Sequence, residues 1–288
     1  MKPVKFAYAR PQELSELTEL LHSEGEDARI LAGGLSLGAM LNMRLVTPRL
    51  LVDINHVQTL QRTQNAAEYV QTGALVRQAD ALLSPEIARD VPLLRAALSH
   101  VGHFQTRSRG TLAGSIAHAD PSAELPLALT VLGGAIELAS RRRSRVVNAD
   151  SFFLSPLRTV RRPDEVVTAI RWPRRRNDER FAFREFALRA GDYAVVAVAC
   201  KARVAKGVVE DLRLGFAGVA DTPILLDVSF ACGERTGEGL ADAISARTKA
   251  LEPTADLHAS RDYRRQLAAV LTKAALMDVF TPKLESVS

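Results

Sequence analysis

The chain has 288 residues, 47% of them apolar and 25% charged, which fits a water-exposed globular protein with a sizeable core, organised as one large or two modest domains. Its opening residues carry no continuous apolar leader, and the longest apolar run, from Tyr193 to Cys200, is far too short to span a bilayer, so a soluble, unexported, cytoplasmic protein is expected. Two cysteines, Cys200 and Cys232, exclude an iron–sulfur cluster held by four thiolates of this chain.

Leu14, Leu17, Leu20 and Leu21 recur at helical spacing within residues 11–21, with Gly25 beyond the end. They predict an amphipathic helix feeding a strand over 29–32. A second strand over 50–54 completes a small parallel α/β lobe that closes near residue 55. Residues 69–72 predict another strand, 80–88 a polar-bounded helix, and 92–101 a helix begun by Pro92 and stopped by Gly102. A polar, glycine-bearing loop over 105–124 follows. Asp120 as cap and Pro121 at the first helical position then predict a helix running through Leu125, Leu127, Leu129 and Leu132 to Gly133-Gly134.

Strands are expected over 135–140 and 165–171, and after Pro173 strands dominate. Residues 180–188, 193–204 and 208–214 form an antiparallel meander, the last two joined by a tight Lys206-Gly207 turn. Helices over 241–251 and 261–280 pack on one face of that sheet through Tyr263, Leu267, Val270, Leu271, Ala274 and Ala275. The fold class is α+β, with a boundary near residue 177 between a domain over 1–177, in lobes of about 1–55 and 56–177, and a domain over 178–288.

Two glycine turns carry the chemistry. Ile30, Leu31 and Ala32 form a short strand that breaks at Gly33-Gly34, followed by Leu35, Ser36, Leu37 and Gly38. In the second stretch, Gly110 and Gly114 free the backbone for positive φ and close ligand approach, while Thr111 and Ser115 add hydroxyls, a combination suited to phosphate. Neither turn has the spacing of a Rossmann fingerprint or a Walker loop. His100, His103 and His118 lack the acidic or thiol partners of a metal site, and no nucleophile elbow marks a hydrolase. Eleven arginines stand against three acidic residues between Arg141 and Arg176. Without a nucleic-acid-binding motif or aromatic stacking platforms, that excess is read as a solvated or partner-docking face and not as a nucleic-acid site.

Four stretches stand out in order: Ala32-Gly33-Gly34-Leu35-Ser36-Leu37, Leu51-Val52-Asp53-Ile54-Asn55, the run from Arg107 to Ser115 with Asp120-Pro121 and Glu124-Leu125-Pro126, and Arg189-Ala190-Gly191-Asp192-Tyr193-Ala194. Together they resemble the FAD-binding medium subunit of molybdenum hydroxylases, the family of carbon monoxide dehydrogenase and xanthine dehydrogenase. The resemblance implies a two-lobed FAD-binding fold of the vanillyl-alcohol oxidase and p-cresol methylhydroxylase type, with a C-terminal domain of the carbon monoxide dehydrogenase flavoprotein type.

It also implies roles for individual residues. Ile30, Leu31, Ala32, Gly33, Gly34, Leu35, Ser36 and Leu37 would line the pyrophosphate and its ribose; Thr111, Ala113, Gly114 and Ser115 would clamp the diphosphate from the other side. His118 would sit nearby, Glu124 would accept ribose or ribityl hydroxyls, Val101 would touch the adenine, and Tyr193 would lie by the isoalloxazine. Ala113 replaces a glycine of many members and requires negative φ; Glu185 replaces a lysine that some members place near the flavin.

FAD would be held non-covalently, and the molybdenum cofactor and [2Fe-2S] clusters would belong to a large and a small partner subunit in a dimer of heterotrimers. The chain would pass electrons from those clusters to an external acceptor. The alternatives are a free-standing FAD-dependent oxidoreductase and a flavin-less docking scaffold.

Overall fold

The computed structural model of the chain describes residues 2–281. Its first sheet is the expected parallel lobe. Strand Leu50–Asp53, buried along its whole length, lies between Ala7–Ala9 and Ala28–Leu31, both parallel to it. The helix Leu14–Glu24 covers this sheet with Leu17 and Leu21. After Gly34 comes a helix, Leu35–Asn42, that the sequence reading lacks. Only Leu41 in it is buried, while Leu35, Leu37 and Met40 face a cleft, so the core-facing stripe that announces a helix is missing.

The second sheet is antiparallel, in the order Thr63–Asn65, Tyr69–Gly73, Val166–Pro173, Ala135–Ala139, Ser144–Asn148. Trp172 is fully buried in it and donates its indole N–H to Thr72 Oγ1 at 2.9 Å. Thr72→Val keeps the shape but strands that buried donor, so it should cost about 1–3 kcal/mol, read as a lower denaturation midpoint.

Two expected helices are corrected here. The one over 80–88 is two, Gln78–Leu83 and Pro85–Asp90, because Pro85 lacks an N–H and restricts Ser84, whose hydroxyl accepts from the Ile87 N–H to start the second helix. The one expected from Asp120 begins at Glu124, since Asp120 Oδ1 accepts the Ser122 N–H at 2.8 Å and closes a turn of its own. From there every residue of Glu124–Leu132 is buried.

The third sheet joins Glu179–Phe186, Val196–Ala205, Val208–Ala217 and Ile224–Leu226, all antiparallel, which adds one strand to the expected meander. Lys206 and Gly207, with φ of 51° and 75°, make the tight turn. One face of the sheet carries the helices Glu238–Ala246 and Arg261–Phe280; the other receives Glu124–Leu132. That helix therefore packs between the second and third sheets.

The arginine run between Arg141 and Arg176 is not one solvated face. Arg145 makes a two-pronged pair with Glu165, Arg171 bonds Glu137, and Arg174 bonds Asp90 and the Ala66 carbonyl. None of the described helices is long and apolar enough to cross a membrane.

Candidate functional site

Where the parallel lobe, the second sheet and the loop before Val196 converge, they leave a cleft of about 1000 Å³. That is the upper range of small-molecule and cofactor sites, about 300–1,000 Å³. Its two walls are the two glycine turns.

In the first wall the chain leaves strand Ala28–Leu31 and passes so close to the second wall that a Cβ on Gly33 would stand 2.5 Å from the Arg109 carbonyl oxygen and 2.9 Å from the Gly110 Cα. Gly34, at φ 77°, then caps Leu35–Asn42 in a left-handed conformation that favours glycine. The N–H groups of Leu35, Ser36 and Leu37 find no acceptor among the described residues and stand at the cleft.

The second wall departs from expectation. The polar loop over 105–124 contains two short helices, Phe104–Arg109 and Leu112–His118, separated at Gly110. Thr111 starts the second by accepting the Gly114 N–H on Oγ1 at 2.9 Å. Gly114 accordingly has no positive φ; it is needed because a Cβ there would lie 2.7 Å from the Thr111 hydroxyl oxygen. Ala113 sits buried within the same helix, meeting the negative-φ condition.

A hydrogen-bond network fixes the walls to each other. Asn55 donates from Nδ2 to the Ala32 carbonyl at 2.9 Å and to Asp53 Oδ1 at 2.6 Å. Arg77 donates to Asn55 Oδ1 at 2.7 Å and, from its other terminal nitrogen, to the Arg109 carbonyl. The Asp53-Ile54-Asn55 stretch thus links the backbone of one turn to the backbone of the other.

Of the residues expected at the site, Ile30, Ala32, Gly33, Gly34, Leu35, Ser36, Leu37, Val101, Thr111, Ala113, Gly114, Ser115, His118, Glu124 and Tyr193 all line the cleft. Leu31 does not, because side chains alternate along a strand and Ile30 takes the cleft-facing position. Glu185 also does not: its side chain lies at a neighbouring cavity of about 450 Å³, with His100, His103, Arg107 and Arg189. The two cavities meet at Gly102 and Gly191.

Sequence reasoning missed Arg29 and Arg161 at the cleft. Arg161 donates to the Arg162 and Glu165 carbonyls, and burial, followed by the nearby Arg29 charge, lowers its pKa. Neither has a carboxylate partner among the described residues, so that part of the cleft is cationic. In the sequence Arg161 is one more member of an arginine run, and only the tertiary fold singles it out.

Elsewhere the cleft favours neutral forms. Burial pushes Glu124 up to about 7 and lowers the pKa of His118; the Tyr193 phenol is raised chiefly by burial. No group of three or more His, Cys, Asp or Glu side chains suited to a metal ion occurs among the described residues.

Residues 4–175 match the family described as FAD binding domain in molybdopterin dehydrogenase, and residues 181–279 match the CO dehydrogenase flavoprotein C-terminal domain. The nicotine 6-hydroxylase medium subunit of Paenarthrobacter nicotinovorans is 35% identical, over 96% of this chain and 98% of that one. The glyceraldehyde dehydrogenase medium chain of Sulfolobus acidocaldarius is 34% identical, over 97% and 100%. Among solved structures, carbon monoxide dehydrogenase from Hydrogenophaga pseudoflava superimposes with a TM-score of 0.94 at 30% identity, covering 97% of this chain and 99% of that chain. Quinoline 2-oxidoreductase from Pseudomonas putida 86 gives a TM-score of 0.93 at 34% identity, covering 97% and 98%.

Proposed function

Since the chain belongs to the family of FAD-binding medium subunits of molybdenum hydroxylases, we propose that it holds FAD in the cleft between its two glycine turns and passes electrons from a partner's iron–sulfur clusters to an external acceptor. The observation that carries this reading is the locked pair of turns. Gly33 makes room for backbone to pass backbone, three N–H groups of the next helix stand open at the cleft, and the Asn55–Arg77 network fixes their distance from Thr111. An extended, doubly anionic diphosphate suits such a surface. FAD, once bound, exchanges electrons singly or in pairs, which lets a one-electron donor serve a two-electron acceptor.

In this arrangement Gly33, Gly34, Ser36, Thr111, Gly114 and Ser115 hold the diphosphate, Glu124 accepts ribose or ribityl hydroxyls at the start of its helix, Val101 contacts the adenine, and Tyr193 covers the isoalloxazine. Arg29 and Arg161 add positive charge toward an anionic ligand. FAD is held without a covalent bond, in a domain over 1–177 followed by a domain over 178–288. Substrate oxidation belongs to a large molybdenum-binding subunit and cluster chemistry to a small iron–sulfur subunit, the three assembling as a dimer of heterotrimers in the cytoplasm. Relatives are named for nicotine, caffeine, glyceraldehyde and carbon monoxide, so N-heterocycles, aldehydes and carbon monoxide are the substrate classes to try with the complex.

The purified chain should show a flavin absorption band that acid precipitation releases into the supernatant. Alone it should reduce dyes with none of those substrates, while the copurified complex should do so. Turnover by the isolated, iron-free chain would identify a complete oxidoreductase, and a well-folded chain that never takes up flavin would identify a scaffold.

A further inference from the structure

We propose that Leu157 is a ligand-contact residue of the cleft, which holds its side chain against a ring of bound FAD through a strained backbone. This rests on the reading that FAD occupies the cleft.

Left-handed backbone suits glycine, because a Cβ crowds the carbonyl oxygen that follows. Among the described residues four others adopt it, namely Arg44, Ala119, Leu157 and Lys206. Lys206 makes the tight hairpin turn. The other three stand on segments that line the cleft: Arg44 between Met43 and Leu45, Ala119 between His118 and Asp120, and Leu157 itself. Such conformations persist where the surroundings hold them, and they gather at ligand sites.

Leu157 breaks a local rule of turn chemistry. Ser155 pairs with Arg158 across the hairpin of Phe153–Ser155 and Arg158–Thr159, so Pro156 and Leu157 are its two turn residues. Proline first and a positive φ second is the type II arrangement, whose second place calls for glycine or asparagine. Leucine stands there instead, at φ 59°. Its N–H donates to the Ala119 carbonyl at 3.0 Å, which fixes the turn to the end of helix Leu112–His118 in the second wall.

Burial within the chain does not offset this strain. Phe153 and Val160, before and after the turn, pack on the core, whereas Leu157 is 51% exposed and lies at the cleft. Met43 and Leu45, each more than half exposed, line the same cleft just past the helix Leu35–Asn42. There the Leu45 N–H donates to the Met40 carbonyl and the Arg44 N–H to the Leu41 carbonyl, a helix ending whose left-handed residue is usually glycine and here is Arg44. Two turns that carry a side chain where glycine is the norm thus bring aliphatic groups to one cavity. A flat ring fits such groups, and FAD has a ring system at each end.

Substitutions at position 157 separate strain from contact. Leu157→Gly and Leu157→Asn relieve the strain and remove the apolar contact, so the apoprotein should melt about 2–4 °C higher while the FAD dissociation constant rises about tenfold. Leu157→Ala keeps the strain and loses most of the contact; it should weaken FAD as much with no gain in melting temperature. Leu157→Met keeps both and should bind FAD within about threefold of the wild type. Affinity is read by titrating each full-length apoprotein with FAD and following flavin fluorescence. Opposed signs are the signature, since a residue that merely supports the fold lowers stability and affinity together. Wild-type affinity in the Gly and Asn variants overturns the contact and leaves the cleft reading in place. Gly and Asn apoproteins that melt below the wild type also overturn it, by showing that Leu157 packs within the chain. A wild-type chain that takes up no FAD defeats the cleft reading, and the contact with it.

Discussion

Gly33→Val should abolish FAD retention, raising the dissociation constant at least 100-fold, or about 2.7 kcal/mol. The atoms in the way are main chain. A Cβ would sit 2.5 Å from the Arg109 oxygen and 2.9 Å from the Gly110 Cα, and the same segment is tied by Arg77 and Asn55 back to the Ala32 carbonyl. Valine must therefore push the two walls apart, and the spacing that grips a diphosphate is lost. Gly34→Val should act in the same direction for another reason, the φ of 77° that a β-branched residue resists. Gly114→Val should be milder: its Cβ meets only the Thr111 hydroxyl, whose displacement removes a helix cap worth about 0.5–2 kcal/mol. Titration of each apoprotein with FAD, followed by flavin fluorescence and accompanied by a thermal melt, ranks the three. Stoichiometric flavin in folded Gly33→Val would remove the first turn from the site.

That ranking also shows what could be read from the sequence. Elements with strong periodicity were legible, among them the Leu14–Glu24 helix, the three-stranded meander with its Lys206-Gly207 turn, and the Arg261–Phe280 helix, because each buries one face in the core. Helix Leu35–Asn42 was not, because its apolar residues face the cleft and not the core. Glycine at 33, 34, 110 and 114 pointed to the right walls, yet the reason at Gly110 and Gly114 was wrong: positive φ was expected at both, whereas Gly110 has φ −57° and leaves room for the Gln78 side chain, and Gly114 is a helical glycine that leaves space for a capping threonine. The Asn55–Arg77 network and the cleft-facing Arg161 join residues far apart in the chain, so no local pattern announces them. Glu185 was tied to the flavin by resemblance alone. The structure places it one cavity away, beside His100, His103, Arg107 and Arg189.

Arg264→Ala should be the most destabilising single truncation in the C-terminal region, at about 2–4 kcal/mol, or a fall in Tm of roughly 5–10 °C. Arg264 is 5% exposed on helix Arg261–Phe280. Its guanidinium donates to the carbonyls of Val195 and Gly218 and pairs with Asp256, joining the helix, two strand ends and the preceding loop. Removing it strands two carbonyls and leaves Asp256, about half exposed, without its partner. Arg264→Lys should rescue little, because a single ammonium on a flexible stem does not reproduce a planar fork that reaches three acceptors. The consequence extends to the cofactor. Gly218 donates its N–H to the Pro121 carbonyl in the turn before Glu124, and Val195 lies two residues from Tyr193, so the arginine braces the cleft wall that carries both side chains. Flavin should therefore dissociate from Arg264→Ala below the temperature at which the sheet unfolds. A melt followed at once by flavin fluorescence and far-ultraviolet circular dichroism should show the first transition preceding the second, whereas coincident transitions would confine Arg264 to the stability of the C-terminal sheet.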